Sequence, residues 1–217
     1  MDNKKLKRTL FIVAAAILVV DQVVKFLIKL NMVIGEEIPV LGDWFLLHFV
    51  ENAGFAFGTT VGGVIGKYAL SIFRILAVGF IIWLINKLIR EKQSFMLILS
   101  LTIIAAGAVG NIIDCCFYGL IFSESRYTTA VLFPATGGYA PFLQGKVVDM
   151  FYFPLFEFDW PAWVPFVGGE HFLFFEAIFN VADSAVTIGV ILLLIDQIFL
   201  SPKHTKPRKT KKLEEEK

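Results

Sequence analysis

The sequence predicts an all-α membrane fold with a small β element: four transmembrane helices, an extracytoplasmic β-cradle and an aromatic-rich interfacial loop. Three observations predict it. Hydrophobic residues make up 57% of the 217 residues and charged ones only 18%, a balance that a soluble domain of this length rarely shows. Mean hydropathy is correspondingly high, at +0.72. Apolar runs of about 20 residues, the length needed to cross a hydrocarbon core of about 30 Å, recur along the chain. Lysines and arginines gather in alternate connections between those runs.

The spans are predicted at 9–30, 64–86, 95–117 and 172–200, within a single domain over 1–202. Lys4, Lys5, Lys7 and Arg8 precede the first. Lys87, Arg90 and Lys92 separate the second and third. Lys203, Lys206, Arg208, Lys209, Lys211, Lys212 and Lys217 follow the fourth, in a basic tail over 203–217 predicted to be disordered. By the positive-inside rule these regions are cytoplasmic, as are both termini, and the connections over 31–63 and 118–171 face outward. The basic N-terminus followed by an apolar run resembles a secretory signal. The run continues to Leu30 without a small-residue cleavage site, so it reads as a retained span.

In the first outer connection, Trp44-Phe45-Leu46-Leu47-His48-Phe49-Val50 is rich in strand formers and is flanked by Gly42 and Asn52-Ala53-Gly54. It predicts a small antiparallel sheet on the outer surface. The second holds Pro134, Pro141, Pro154, Pro161 and Pro165, with Tyr152, Trp160 and Trp163 among many phenylalanines. Aromatic residues at that density favour the headgroup layer.

A net charge of +1 implies no nucleic-acid partner. Cys115 and Cys116 are adjacent and form neither a zinc pattern nor a disulfide framework. No phosphate loop is present, and no metal or organic cofactor is expected. His48, His171 and His204 lie in or beside loops, away from a nucleophile.

The acids inside the apolar runs are the most informative residues. Asp183, in Phe179-Asn180-Val181-Ala182-Asp183-Ser184, sits within the predicted fourth span. An ionisable group at membrane depth costs about 2.5–3.5 kcal/mol on insertion scales, so one that is kept marks a functional site by default. Asp21 and Lys25 are four residues apart and share a helix face. Gly107, Asn111 and Asp114 form a stripe on the third span, and Glu176, Asn180, Asp183 and Thr187 one on the fourth. Such stripes face a bundle interior. The topology places Asp21, Asp114 and Asp183 in the outer half of the membrane, near Asn52-Ala53-Gly54 and Asp149. Several carboxylates at one depth point to acid–base chemistry or ion movement. Two aspartates brought close titrate as a pair and share a proton near neutrality. The ionised member can take a proton from water, while the protonated member polarises a peptide carbonyl.

At the level of ordered motifs, the chain resembles the signal peptidase II (lipoprotein signal peptidase) family. The similar segments are Asp21-Gln22-Val23-Val24-Lys25, Glu51-Asn52-Ala53-Gly54-Phe55-Ala56-Phe57, Gly107-Ala108-Val109-Gly110-Asn111-Ile112-Ile113-Asp114, Val147-Val148-Asp149-Met150-Phe151 and Phe179-Asn180-Val181-Ala182-Asp183. Each is weak alone; their order and topological placement are specific. The resemblance implies a four-span fold with a β-cradle and an aspartic endopeptidase in which Asp149 and Asp183 are catalytic. It implies substrate-binding or supporting roles for Asp21, Lys25, Asn52, Gly54, Gly107, Asn111, Asp114, Asn180 and Ala182. It also implies diacylglyceryl-modified prolipoprotein substrates, cut before the lipidated cysteine, membrane lipids as further partners, and a monomer in a bacterial inner membrane.

Within that resemblance, Asp114 is expected to be a structural acid tied to Asn111 and a cation, and Asp21–Lys25 an ion pair shaping the site. Asn52 is expected either to form a turn or to bond the substrate backbone. Two departures stand out. Cys115 occupies the position after Asp114 where the family usually has arginine, so Arg126 or Arg74 is a candidate substitute partner. Ser123 to Gly145 is an insertion between Asp114 and Asp149. Asp196 reads as an interfacial acid near the cytoplasmic end. The rival readings are a small proton-coupled transporter and a non-enzymatic assembly factor. Intramembrane acids also form proton relays, but four spans are few for a transporter and no inverted repeat is visible, and an assembly factor does not need two acids at one depth.

Overall fold

The computed structural model describes residues 2–54 and 63–200. The Phe55-Ala56-Phe57 part of the second motif and the basic tail lie outside the described residues.

Among the described residues four helices are long and apolar enough to cross a membrane: Asn3–Asn31 (α1), Gly63–Arg90 (α2), the rod Phe95–Ile121 and the rod Val181–Leu200. The third rod is an α-helix over Phe95–Ile113 (α3), a π-helical turn over Asp114–Tyr118 and a last turn at Gly119–Ile121 (α4). The fourth is an α-helix over Val181–Ile195 (α5) followed by a π-helical turn over Asp196–Leu200. Most side chains on α2 are exposed in the isolated chain, including Ile65, Phe73 and Leu76, as a lipid-facing surface requires.

Packing between α3 and α5 is close because small residues face each other. A Cβ added to Gly110 would lie 3.1 Å from the Ala182 Cβ and 2.6 Å from Asp21 Oδ2. One added to Gly107 would collide with the Ala182 carbonyl. Without a hydrophobic driving force inside a bilayer, such small-residue contacts let helix backbones approach and hold by dispersion.

A four-stranded antiparallel sheet caps one end of the bundle in the order β1-β2-β3-β6. Its strands are Glu37–Leu41 (β1), Phe45–Asn52 (β2), Val147–Tyr152 (β3) and Ile178–Phe179 (β6). β2 is the strand predicted from the Trp44–Val50 run. Phe156–Asp159 (β4) and His171–Phe174 (β5) form a separate two-stranded ribbon. Its aromatic residues stack, with the Phe156 and Phe174 ring centroids 4.7 Å apart. Phe166 and Trp163, at the turn between these strands, are 102% and 82% exposed, which fits the interfacial role predicted for this connection.

The fourth and third spans depart from the sequence reading. The fourth span starts at Val181, not at 172, because His171–Phe174 pairs with β4 and Asn180 caps the helix. Glu176 is therefore not on the same helix as Asp183 and Thr187, and the predicted four-residue stripe loses its first member. The third span runs on to Ile121 through the π-helical turn. Asp196 is buried within the chain at the end of the fourth rod: it accepts from the Ser94 hydroxyl, whose oxygen also caps α3 by accepting from the Leu97 N–H at 3.0 Å.

The Ser123–Gly145 insertion packs on the sheet end of the bundle. Phe122 bridges to Leu132, and the Tyr139 and Ala140 N–H groups donate to the Phe122 and Gly119 carbonyls. Lys67 and Ser71 of α2 donate to the Gln144 and Leu143 carbonyls at 2.7 and 3.1 Å. The insertion thus ties the start of α2 to the end of α3.

Candidate active site

Asp149 lies on β3, opposite Val50 of β2, and is 4% exposed. Asp183 is the third residue of α5. Asn180 precedes that helix and closes a reciprocal capping box with it. Asn180 Oδ1 accepts from the Asp183 N–H at 2.9 Å, and the Asn180 N–H donates to Asp183 Oδ2 at 3.3 Å. This is why Asn-x-x-Asp begins the helix: both side chains satisfy backbone donors that have no intrahelical partner. The Asn180 amide then reaches across to β3, donating to Asp149 Oδ1 at 2.7 Å. One asparagine therefore contacts both acids, although they are 34 residues apart in the chain (183 − 149). β6 makes this possible by pairing Phe179 with Phe151, which brings the start of α5 beside β3.

Asp183 Oδ1 also accepts from Asn111 Nδ2 at 2.8 Å. Asn52 bonds Asp149, and its Oδ1 accepts from the Gly54 N–H at 2.7 Å. Gly54 has φ +93°, a conformation that a β-carbon disfavours. Asn52 thus forms the expected turn, and its amide bonds Asp149. Burial pushes the Asp149 carboxyl up to about 7, the Asp183 charge adds to the rise, and the Asn180 and Asn52 hydrogen bonds oppose it.

Beneath these acids lies a buried ionic cluster. Lys25 Nζ is 3.0 Å from Asp21 Oδ2, 2.7 Å from Asp114 Oδ2 and 2.8 Å from Asn111 Oδ1. Two carboxylates and one ammonium would leave excess negative charge, which is met by neutral donors. Gln22 Nε2 donates to both acids at 3.0 Å, the Ala182 N–H to Asp21 at 2.9 Å and the Val148 N–H to Asp114 at 3.3 Å. A buried ion pair holds only when its remaining lone pairs are filled in this way. Lys25 is therefore the cation beside Asp114. Arg74 instead donates to Cys115 Sγ and the Gly54 carbonyl, and Arg126 borders a separate surface cavity with Glu124 and Lys146.

All eleven residues singled out from the sequence belong to this region, although not all touch the acids. Asp21, Lys25, Asn52, Asn111, Asp114, Asp149, Asn180 and Asp183 form one connected network. Gly54 joins through its N–H and Ala182 through its own, whereas Gly107 contributes only close packing on Ala182. The sequence reading missed Gln22, Lys29, Glu51 and Tyr118. Tyr118 OH lies 3.2 Å from Gln22 Oε1. Lys29 is fully buried, ion-paired to Glu51 and bonded to Ser125 Oγ at 2.8 Å, with its Nζ 5.0 Å from the Tyr139 ring. Its spacing gave a signal: Asp21, Lys25 and Lys29 recur every four residues on one face of an otherwise apolar helix.

An apolar groove of about 450 Å³ opens beside Asp183, bordered by Phe175, Phe179, Thr187 and Ile188. A second cavity, about 320 Å³, lies between α2, α3 and α5 and reaches Asn111 and Arg74. A third, about 460 Å³ and lined by Leu6, Ile89 and Ile98, lies at the opposite end of the bundle, away from the acids.

The model of the family described as signal peptidase (SPase) II matches residues 13–199. The chain belongs to the signal peptidase II family. The lipoprotein signal peptidase of Porphyromonas gingivalis is 53% identical over 188 residues, covering 85% of this chain and 81% of that protein. The lipoprotein signal peptidase of Amoebophilus asiaticus is 36% identical over 188 residues, covering 85% and 75%. A solved structure described as a bacterial membrane enzyme matches with a TM-score of 0.55 and 25% identity, covering 91% of this chain and 94% of that one. This signal peptidase II family member is thus a membrane-embedded peptidase with four apolar helices, and the transporter reading finds no support.

Proposed function

We propose that this peptidase removes signal peptides from diacylglyceryl-modified prolipoproteins, cutting before the lipidated cysteine, with Asp149 and Asp183 as its catalytic pair. The observation that carries the proposal is the Asn180 bridge: one amide and its own backbone N–H fix both carboxylates.

The environments of the two acids suggest their roles. Asp149 is buried on a strand and retains its proton up to about 7. Asp183 sits in the first turn of α5, and both its oxygens accept hydrogen bonds. In the proposed reaction Asp183 takes a proton from water as the water oxygen attacks the scissile carbonyl carbon. Asp149 gives its proton to the carbonyl oxygen, forming a tetrahedral diol. Collapse of the diol breaks the C–N bond. The proton held by Asp183 passes to the leaving amine of the cysteine, and a diol hydroxyl returns its proton to Asp149. Both acids then stand as they began.

The groove beside Asp183 is lined by apolar side chains suited to acyl chains, each buried methylene contributing about 0.8 kcal/mol. The distribution of Lys and Arg supports cytoplasmic termini, and hence a sheet end facing outward in a bacterial inner membrane. The catalytic groups all lie on one chain, so the proposed reaction needs no second copy and a monomer suffices.

The test is cleavage of a diacylglyceryl-modified prolipoprotein in detergent by the wild type, Asp149→Asn and Asp183→Asn. The expected result is cleavage before the lipidated cysteine by the wild type only, with both variants folded. A folded variant of either acid that keeps the wild-type rate refutes the pair. Cleavage of the unlipidated precursor at the same rate refutes the substrate class.

A further inference from the structure

Arg74 is a guanidinium on a membrane-spanning helix whose charge the active-site network does not use. It lies on α2, three residues after Ser71 and seven after Lys67, so the three share a helix face. Lys67 and Ser71 are bonded to the carbonyls of Gln144 and Leu143, which fixes the height of that face against the end of α3. Arg74 Nη2 donates to the Gly54 carbonyl at 3.0 Å, and Nη1 lies 3.7 Å from Cys115 Sγ. Among the described residues no carboxylate lies within ion-pair distance of it. An arginine remains charged throughout the usable pH range and presents five donors in a rigid fork. Inside the span its fork meets one thiol and one backbone carbonyl, so its shorter bond serves to fix that carbonyl.

A Cβ at Gly54 would lie 2.9 Å from Arg74 Nη1, so the fork seats against backbone that carries no side chain. The Gly54 N–H closes the turn onto Asn52 Oδ1, and the Asn52 amide in turn meets Asp149. The contacts run from Arg74 through Gly54 and Asn52 to Asp149. Arg74 also borders the cavity that reaches Asn111, the residue that bonds Asp183.

We propose that Arg74 is a positioning residue of the peptidase, clamping the Asn52–Gly54 turn so that the Asn52 amide stays on Asp149. The proposal rests on the reading of Asp149 as catalytic.

The experiment compares wild type with Arg74→Met and Arg74→Lys in detergent on a diacylglyceryl-modified prolipoprotein, with Asp149→Asn in the same assay. Small misplacements of catalytic groups cost about 10²-fold in rate. Arg74→Met is expected to lose kcat on that order with KM little changed, and Arg74→Lys to recover part of it. The pH profile adds a readout that general loosening does not move. Asp149 is faced by Asn52 of β2, Asn180 and Asp183 at the start of α5, and Lys25 of α1. Losing the Asn52 bond removes a contact that favours the ionised carboxylate, so the alkaline limb of kcat is expected to move to higher pH. Wild-type kcat in Arg74→Met overturns the proposal, as does a loss confined to KM or a reduced kcat with an unmoved alkaline limb. If Arg74→Met does not fold, Arg74→Lys decides by the same criteria. An active Asp149→Asn signals failure of the underlying catalytic assignment instead.

Discussion

Lys25 Nζ lies 2.7 Å from Asp114 Oδ2, with neither side chain exposed. The contact joins the C-terminal part of α1 to the π-helical turn that follows α3, beneath β3, whose Val148 N–H also reaches Asp114. It is the structural keel on which the two candidate catalytic acids rest.

Lys25→Met is expected to destabilise the protein by about 3–5 kcal/mol, the range for breaking a buried pair and stranding its partners. Here two carboxylates, Asp21 and Asp114, are left behind. Adding Asp114→Asn is expected to restore part of the loss. Unfolding in detergent with urea or heat measures both, and additive losses in the double variant contradict the coupling.

Asn180→Ala removes the side-chain cap of α5 and the bond to Asp149. The cap is worth about 0.5–2 kcal/mol. The expected effect on cleavage is larger, about 10²-fold in kcat, because both acids lose a common anchor. Parallel measurements of melting and turnover separate the two effects; a rate loss no greater than the stability loss explains would count against the bridge.

Stability is expected to fall as pH rises because of Asp149. In the unfolded chain an aspartate titrates near 3.9; in the fold Asp149 is pushed up to about 7 by burial and by Asp183. Between those values the native state binds more protons, so unfolding free energy decreases with pH. This contribution is fully present below about 4 and is lost as pH rises through about 7. Asp149→Asn keeps a neutral group in place, so its stability over pH 4–8 is expected to slope less than that of the wild type, and it is expected to be the more stable protein at pH 8. Equal slopes in denaturant titrations would remove the buried carboxyl as their source.

Gly110→Ala is expected to destabilise by about 1–3 kcal/mol, the usual range for overpacking. The added methyl would press on Asp21 Oδ2 at 2.6 Å and on Ala182 at 3.1 Å. Since Asp21 accepts from the Ala182 N–H, the same change is expected to lower activity by shifting the start of α5. A melting temperature equal to that of the wild type would show that α3 and α5 part easily.

The spans were legible because a bilayer forces every backbone polar group to pair within the segment, so long apolar helices declare themselves by composition. β2 was legible from its strand formers, and Asp21–Lys25 from its four-residue spacing. The start of α5 was not: Phe172 to Phe179 is as apolar as a span. Only the pairing of β5 with β4 and of β6 with β3 keeps it out of the helix.

By itself the sequence determined which residues are polar within an apolar chain, and hence which would be driven to meet away from lipid. It could not determine which polar group each would find, because those choices join residues far apart in the chain. Lys25 rather than an arginine stands beside Asp114, Arg74 turns to Gly54, and Asn180 spans from α5 to Asp149. Register and helix height set these partners, and both arise only when the sheet, the insertion and the small-residue contact of α3 with α5 form together.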